Sequence, residues 1–136
     1  MDCIFCQIIA GDIPSYKVYE DDHVYAFLDI SQVTEGHTLV VPKQHVKNLY
    51  DLDEKTATHV FRAVPPIANA LKRAFAPIGL NLINNTERPH QSVDHFHVHL
   101  LPRYEQDDLG IRFTNNQASH EQEDYLAILE KIKENL

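Results

Sequence analysis

One run, His95-Phe96-His97-Val98-His99-Leu100, constrains this chain more than any other. Histidines alternate with apolar residues, and a period of two is what a half-buried β-strand requires. Phe96, Val98 and Leu100 then face a core, while His95, His97 and His99 share the opposite face. Alternate residues on a strand lie roughly 6.6 Å apart, which puts the outer histidines about 13 Å from each other. One ion with bonds of about 2 Å cannot take all three unless the strand bends. Neighbouring histidines can share an ion, but so regular a row reads as several imidazoles with different tasks. With an unperturbed pKa of about 6.5, an imidazole is also a nucleophile that is neutral at pH 7.

The chain has 136 residues, enough for one domain with a real core, and a single domain over residues 1–136 is expected. Its formal net charge of -8 argues against general nucleic-acid affinity. An anionic small substrate therefore needs a local positive patch. The start, Met1-Asp2-Cys3-Ile4-Phe5, is acidic where an export signal is basic, so no signal peptide is expected. No apolar run approaches the roughly 20 residues of a membrane span. A cytoplasmic place of work follows as an expectation. In such a reducing compartment, Cys3-x-x-Cys6 points to metal or redox chemistry rather than a structural disulfide.

Residues Cys3 to Ala10 form a short amphipathic turn or helix stopped by Gly11. Tyr16–Glu20 and Val24–Ile30 read as strands joined at Asp21-Asp22, and Thr38–Val41 as a third. Asp51 or Asp53 can cap a helix carrying Ala57, Val60, Phe61 and Val64 at helical spacing. Pro65-Pro66 is expected to kink or break that helix, because an interior proline costs about 3 kcal/mol. Ile67, Ala68, Leu71 and Phe75 resume the stripe, which Pro77 and Gly79 end. Leu80 to Ile83 is a fourth strand, and the histidine run is the fifth. Ser119 with Gln122 makes a capping-box pattern before a last helix carrying Tyr125, Ile128, Leu129 and Ile132. Strands with segregated helices imply an α+β fold with a mainly antiparallel sheet.

The run from Gln91-Ser92-Val93 through His95-Phe96-His97-Val98-His99-Leu100-Leu101 to Pro102-Arg103 resembles the histidine triad (HIT) family, which hydrolyses or transfers nucleoside monophosphates. The resemblance extends from Cys3 to Arg103. It implies a five-stranded, mainly antiparallel sheet with a long helix and a C-terminal helix, paired in a homodimer. It assigns the nucleophile to His97, whose attack on phosphorus gives a nucleotidyl-imidazole intermediate that water later hydrolyses. One ring nitrogen must be bare, so the other should donate, to a backbone carbonyl by expectation. His99 is assigned to non-bridging phosphate oxygens, and His37 to the hydrogen-bond network behind it. Gln91 and Ser92 are placed as donors to phosphate oxygens or the leaving group.

The resemblance further implies that Asp29 grips the ribose hydroxyls, that Phe5, Ile8, Phe27 and Ile30 line an apolar slot for a purine base, and that Asn84 contacts the α-phosphate region. Cys3-x-x-Cys6 is half of a tetrahedral zinc site. Resemblance to bacterial triad proteins and to galactose-phosphate uridylyltransferases supplies His45 and His95 as the other half. Such a closed Cys₂His₂ site makes zinc structural, with no cofactor required for the chemistry. The chain departs from the family at Arg88-Pro89-His90, where small residues are usual; this loop can narrow the leaving-group side or add positive charge to it.

The expected function is a nucleotide-binding hydrolase acting on nucleoside phosphoramidates, adenylates or dinucleoside polyphosphates. A transferase is disfavoured because that branch tends to carry glutamine where this chain has His99. Two alternatives stand beside it. One is a catalytic metal held by His95 and His97 or by His97 and His99. The other is a purine-nucleotide-binding regulatory module with vestigial hydrolysis.

Overall fold

The structure is a computed structural model, and it describes residues 2–136. Its elements in chain order are α1 (Ile4–Ala10), β1 (Lys17–Glu20), β2 (Val24–Leu28), β3 (Thr38–Pro42), α2 (Glu54–Phe75), β4 (Gly79–Ile83), β5 (Val98–Arg103) and α3 (Gln122–Lys133). The strands make one sheet in the order β1-β2-β3-β5-β4, with every pairing antiparallel. The expected α+β class and five-stranded sheet are therefore what the chain builds. None of the described helices is long and apolar enough to cross a membrane.

Alternation along the central strands divides the core between two faces. Val24, Ala26, Val40, Val98 and Leu100 pack with Val60, Ala63, Val64, Ile67 and Leu71 of α2. Tyr25, Phe27, Leu39 and Val41 point the other way and pack with Phe5 and Ile8 of α1. Phe96, 1% exposed, joins the α2 side, so the inward face read from the histidine run is correct. The sheet thus lies between α2 and α1, and the histidines belong to the α1 face.

Local chemistry explains where the elements begin and end. Asp21 turns the chain between β1 and β2, its Oδ1 accepting the His23 and Val24 N–H groups at 2.7 and 2.8 Å. Asp53 caps α2 by accepting the Thr56 N–H at 2.7 Å. Gly36 has φ +94, and a Cβ there would sit 3.1 Å from the Phe75 ring and from Pro102 Cγ. That close approach of α2's end and β5 fixes the backbone just ahead of His37.

Three expectations need correction, on the fifth strand, the Pro65-Pro66 pair and the last helix cap, while the stop at Pro77 holds. The fifth strand begins at Val98 rather than running through His95, because residues 91–97 follow bends outside the ladder. The Pro65-Pro66 pair does not break α2, which is one helix of 22 residues. Both prolines lie on the exposed side, while Val64 and Ile67 anchor the helix to the core on either side of them. The side-chain amide of Asn69 donates to the Pro65 carbonyl at 2.9 Å. That helix ends at Ala76, in the left-handed region at φ 46, one residue before Pro77. Finally, the last helix is capped by Glu121, whose N–H donates to Asp124 Oδ2 at 2.8 Å, while Ser119 sits in a 3₁₀ turn. The acidic pair occupies the box positions two residues later than the Ser119 pattern.

Candidate active site

Because His97 precedes the first residue of β5, its ring is placed by individual hydrogen bonds rather than by the ladder. Its Nδ1 lies 2.7 Å from the His95 carbonyl oxygen. A carbonyl can only accept, so Nδ1 carries the proton and Nε2 keeps a bare lone pair. The His97 carbonyl accepts from the Asn84 side-chain amide at 2.9 Å, which pins the same residue from its backbone side. Burial pushes the His97 pKa below the ordinary imidazole value, and only the His95 carbonyl and Asp29 work against it. The ring is therefore neutral at pH 7, with one nucleophilic nitrogen.

A second chain of contacts settles the tautomer of His99. Buried His37 accepts the Val33 N–H at Nδ1, 3.4 Å away, so its proton is on Nε2. That Nε2 lies 2.9 Å from His99 Nδ1 and donates to it. His99 must then be protonated at Nε2, which makes it a hydrogen-bond donor. Burial, followed by the neighbouring His97 and His37, lowers the His99 pKa to about 4. His97 and His99, with ring centroids 5.0 Å apart, thus have opposite roles: one offers a lone pair and the other a proton.

Both rings line a cavity of ≈ 280 Å³ on the α1 face of the sheet. Phe5, Ile8 and Phe27 form its apolar wall, Leu39 and Val93 complete it, and Ile30, 87% exposed, stands at the edge. Asp29 is at the same cavity. Its Oδ1 accepts the Ser31 N–H and Oγ–H at 2.8 and 2.7 Å, and its Oδ2 lies 3.7 Å from His37 Nε2. Burial works to raise its pKa, but the Ser31 bonds and the nearby histidines hold it below the usual carboxylate value. Ser92 is exposed on the rim.

Two expected site residues do not reach the cavity. Gln91 is 1% exposed, and its amide is spent on backbone: Oε1 accepts the Glu87 N–H at 2.7 Å, while Nε2 donates to the Lys47 and Val93 carbonyls. Asn84 holds the His97 carbonyl instead of facing a phosphate. Arg88 turns back to the Gln91 carbonyl and to Asp94, so it adds no charge beside His97 or His99. Leu39 and Val93 went unread in the sequence. Leu39 could have been found from its place two residues after His37 on one strand face.

Beyond the Phe5 ring lies a separate donor cluster that could hold a metal ion: Cys3, Cys6, His45 and His95, with ligand atoms all within 4.8 Å of one another. The His95 ring donates Nε2–H to the Pro42 carbonyl at 2.8 Å, which leaves Nδ1 bare and aimed at the sulfurs. That Nδ1 lies 3.4 Å from Cys3 Sγ and 3.6 Å from Cys6 Sγ, and His45 Nδ1 lies 3.4 Å from Cys6 Sγ. Tetrahedral zinc, with bonds of about 2.3 Å to sulfur and 2.0–2.1 Å to nitrogen, separates such atoms by about 3.6 Å. The donors fit. Burial, and next the Cys3 thiol, push the Cys6 thiol up to about 11, a crowding of ligands that a cation would relieve.

Asp29, His37 and His99 also bring ligand atoms within 4.8 Å of one another. There, however, a proton lies between His37 and His99 at 2.9 Å, shorter than the roughly 3.3 Å between two nitrogens on one tetrahedral zinc. This trio is a hydrogen-bond network.

A buried His97 and a half-buried His99 of opposite tautomer on one cavity invite comparison with known proteins. The HIT domain description matches residues 10–106. This chain belongs to the HIT family. A solved HIT-family structure from Bacillus subtilis is 51% identical, covers all of this chain and 98% of its own, and superposes with a TM-score of 0.97. A zinc-bound histidine triad protein from Mycobacterium smegmatis is 32% identical over all of this chain and 99% of its own, with a TM-score of 0.75. Among curated HIT relatives, an adenosine 5'-monophosphoramidase of Schizosaccharomyces pombe is 36% identical over 90% of each chain. The matched HIT region begins at residue 10, so Cys3, Cys6 and Phe5 reach this site from outside it.

Proposed function

We propose that this HIT-family chain is a purine-nucleotide hydrolase that cleaves nucleoside 5'-monophosphate derivatives through a covalent nucleotidyl-His97 intermediate. The observation that carries this reading is the bond from His97 Nδ1–H to the His95 carbonyl, which leaves Nε2 bare at the cavity. That lone pair attacks the α-phosphorus and forms a P–N bond. The bond from phosphorus to the leaving group breaks, and its electron pair departs with that group. Ser92 Oγ–H, on the rim, is the proposed proton source, and His99 Nε2–H donates to a non-bridging oxygen as negative charge builds there. Water then attacks phosphorus: a P–O bond forms, and P–N breaks with its electron pair returning to His97 Nε2. The proton that water loses restores Ser92 Oγ–H, so His97, its Nδ1–H never removed, is back in its starting tautomer. Asp29 meets the ribose hydroxyls, and the Phe5, Ile8 and Phe27 wall takes the base, with Ile30 at its edge. Similarity to an adenosine 5'-monophosphoramidase supports an amine as the leaving group.

The test is a substrate panel. Adenosine phosphoramidates should be cleaved faster than dinucleoside polyphosphates. Tight purine-nucleotide binding with negligible turnover across the panel would instead make this a regulatory module. The pH profile gives a second check. Only neutral His97 attacks, and burial holds its pKa below about 6.5. The rate kcat/KM should therefore stay flat as pH falls through 6.5 and decline only at lower pH. An acid limb centred at or above the ordinary imidazole value contradicts this account.

Zinc in the Cys3, Cys6, His45 and His95 cluster is proposed to be structural, supported by the donor set and by the zinc-bound M. smegmatis relative. The whole chain, residues 1–136, is taken as one working unit, and the cytoplasm as its place of work, supported by the free thiols of Cys3 and Cys6. Localisation of a tagged full chain to a membrane or an exported fraction would refute the last point.

A homodimer is also part of the proposal. β4 is a sheet edge with Leu80 and Leu82 exposed, and α3 buries none of its residues although Leu126, Ile128, Leu129 and Ile132 are apolar. A second copy related by two-fold symmetry would cover both surfaces. Sedimentation of the full chain should give twice the chain mass, and Leu82→Asp should shift it toward the monomer. A wild-type monomer at micromolar concentration would end this part of the proposal.

A further inference from the structure

The donor cluster and the reaction centre share parts. His95 uses its ring nitrogens toward the sulfurs and the Pro42 carbonyl, and its own carbonyl holds the proton of His97. Both residues precede Val98, so no ladder bond holds this segment; it is tied by the Phe96 N–H to the Val46 carbonyl at 2.6 Å, beside His45, and by Asn84 at His97. Among the described residues, the backbone bonds at α1 include those from the Gln7 N–H to the Cys3 carbonyl and from the Gly11 N–H to the Ile8 carbonyl, both within the segment. Helix α1 is thus seated on the sheet by Phe5 and Ile8 and at its start by Cys3 and Cys6. The Phe5 ring meets the His97 ring edge-on, with centroids 5.1 Å apart and planes at 88°, and also lies 5.4 Å from Phe27 across the cavity wall.

We propose that the Cys3–Cys6–His45–His95 cluster positions the reaction: closing it on a cation aims the His95 carbonyl that fixes the His97 tautomer and seats the α1 wall that holds the base. His95, Cys3 and Cys6 are then positioning residues as well as ligands. The inference rests on reading His97 as the nucleophile and the cluster as a metal site. Its logic is geometric. Ligation of the ring fixes where residue 95 sits and hence where its carbonyl points. If that carbonyl swings away, the His97 proton is free to move to Nε2, and that form cannot attack. Release of Cys3 and Cys6 loosens Phe5, which loosens the base wall. The first effect lowers kcat and the second raises KM, a split that general loss of fold does not produce.

The experiment compares the zinc-loaded full chain with a chelator-stripped sample and with Cys6→Ser, since Cys6 lines no part of the cavity. The readouts are zinc content, AMP affinity by calorimetry and the His97 ring tautomer by nitrogen NMR. Loss of metal should weaken AMP binding and lower kcat, each by about 10- to 100-fold, the usual cost of disturbing the residues that orient a site. The His97 signal should change from pure Nδ1–H to a mixture, and Cys6→His, which keeps a ligand, should restore both. A folded, metal-free chain that binds AMP as the loaded chain does and keeps the Nδ1–H form overturns the proposal. If the stripped chain unfolds, zinc-loaded Phe5→Ala decides: AMP binding should weaken with zinc content intact, and unchanged affinity overturns the coupling. Absence of wild-type turnover on every substrate would refute the hydrolase reading while leaving the binding and tautomer readouts interpretable.

Discussion

Replacing His97 by glycine should abolish turnover, by on the order of 10⁴- to 10⁶-fold, while AMP continues to bind. The size of the loss follows from the tautomers of its neighbours. His99 stands beside His97, but its Nδ1 lone pair is filled by the proton of His37 and its Nε2 carries a proton of its own. His95 is turned away, with Nε2–H on Pro42 and Nδ1 toward the sulfurs. No second bare imidazole nitrogen therefore stands in for the lost one. Binding survives because Phe5, though it loses the His97 ring, keeps its packing with Phe27 and Ile8, and Asp29 keeps its two bonds from Ser31. Single-turnover measurement on an adenosine phosphoramidate, with parallel AMP calorimetry, separates the two effects. Acid-labile phosphate on the peptide containing residue 97 of the wild-type chain would be the positive sign. Free imidazole added to the glycine variant should restore part of the rate by entering the vacated space. A His97→Gly chain that turns over at near the wild-type rate would falsify the nucleophile assignment outright.

The period-two run was legible because it reports on a face, and faces are set locally. Phe96, Val98 and Leu100 did go inward and the histidines did share the α1 side. Where the strand starts was not legible, because residues 91–97 are held by partners far along the chain: Lys47 for Gln91, Val46 for Phe96, Pro42 for His95. The same blindness misplaced Gln91. Its residue type suits a phosphate donor, yet its amide satisfies buried carbonyls that would otherwise be orphaned. With Pro65-Pro66 the local rule was sound and was outweighed. About 3 kcal/mol per interior proline is less than the burial of Val60, Val64, Ile67 and Leu71 on one continuous helix, at roughly 1.5–3 kcal/mol for each such side chain. That Cys3 and Cys6 stand together was legible, since Cys3-x-x-Cys6 brings its sulfurs together within one helical turn whatever the rest of the chain does, and His45 and His95 lie beside them in one donor cluster.

Cys3→Ser should lower zinc content from about one per chain to well under half and cost about 4 kcal/mol or more of stability, the range reached when a structural metal is lost. For a chain of this size that is a fall in Tm on the order of 10 °C. Serine makes the comparison clean. Cys3 also caps α1, its sulfur accepting the Cys6 N–H at 3.4 Å, and a serine oxygen serves that role at least as well. Any loss therefore belongs to the metal rather than to the cap. The change should be regional. The α2-side core, from Val24 and Val40 to Leu71, includes none of the four ligands and should keep its amide-exchange protection. Residues 3–13 and 91–97, tied down by the cluster, should lose theirs. A chelator added to the wild type should reproduce the same pattern, and added to Cys3→Ser should do nothing further, because the two routes remove one interaction. Equal zinc content and equal Tm in the two chains, or loss of protection spread evenly over the sheet, would mean that these thiols and imidazoles lie together without holding anything in place.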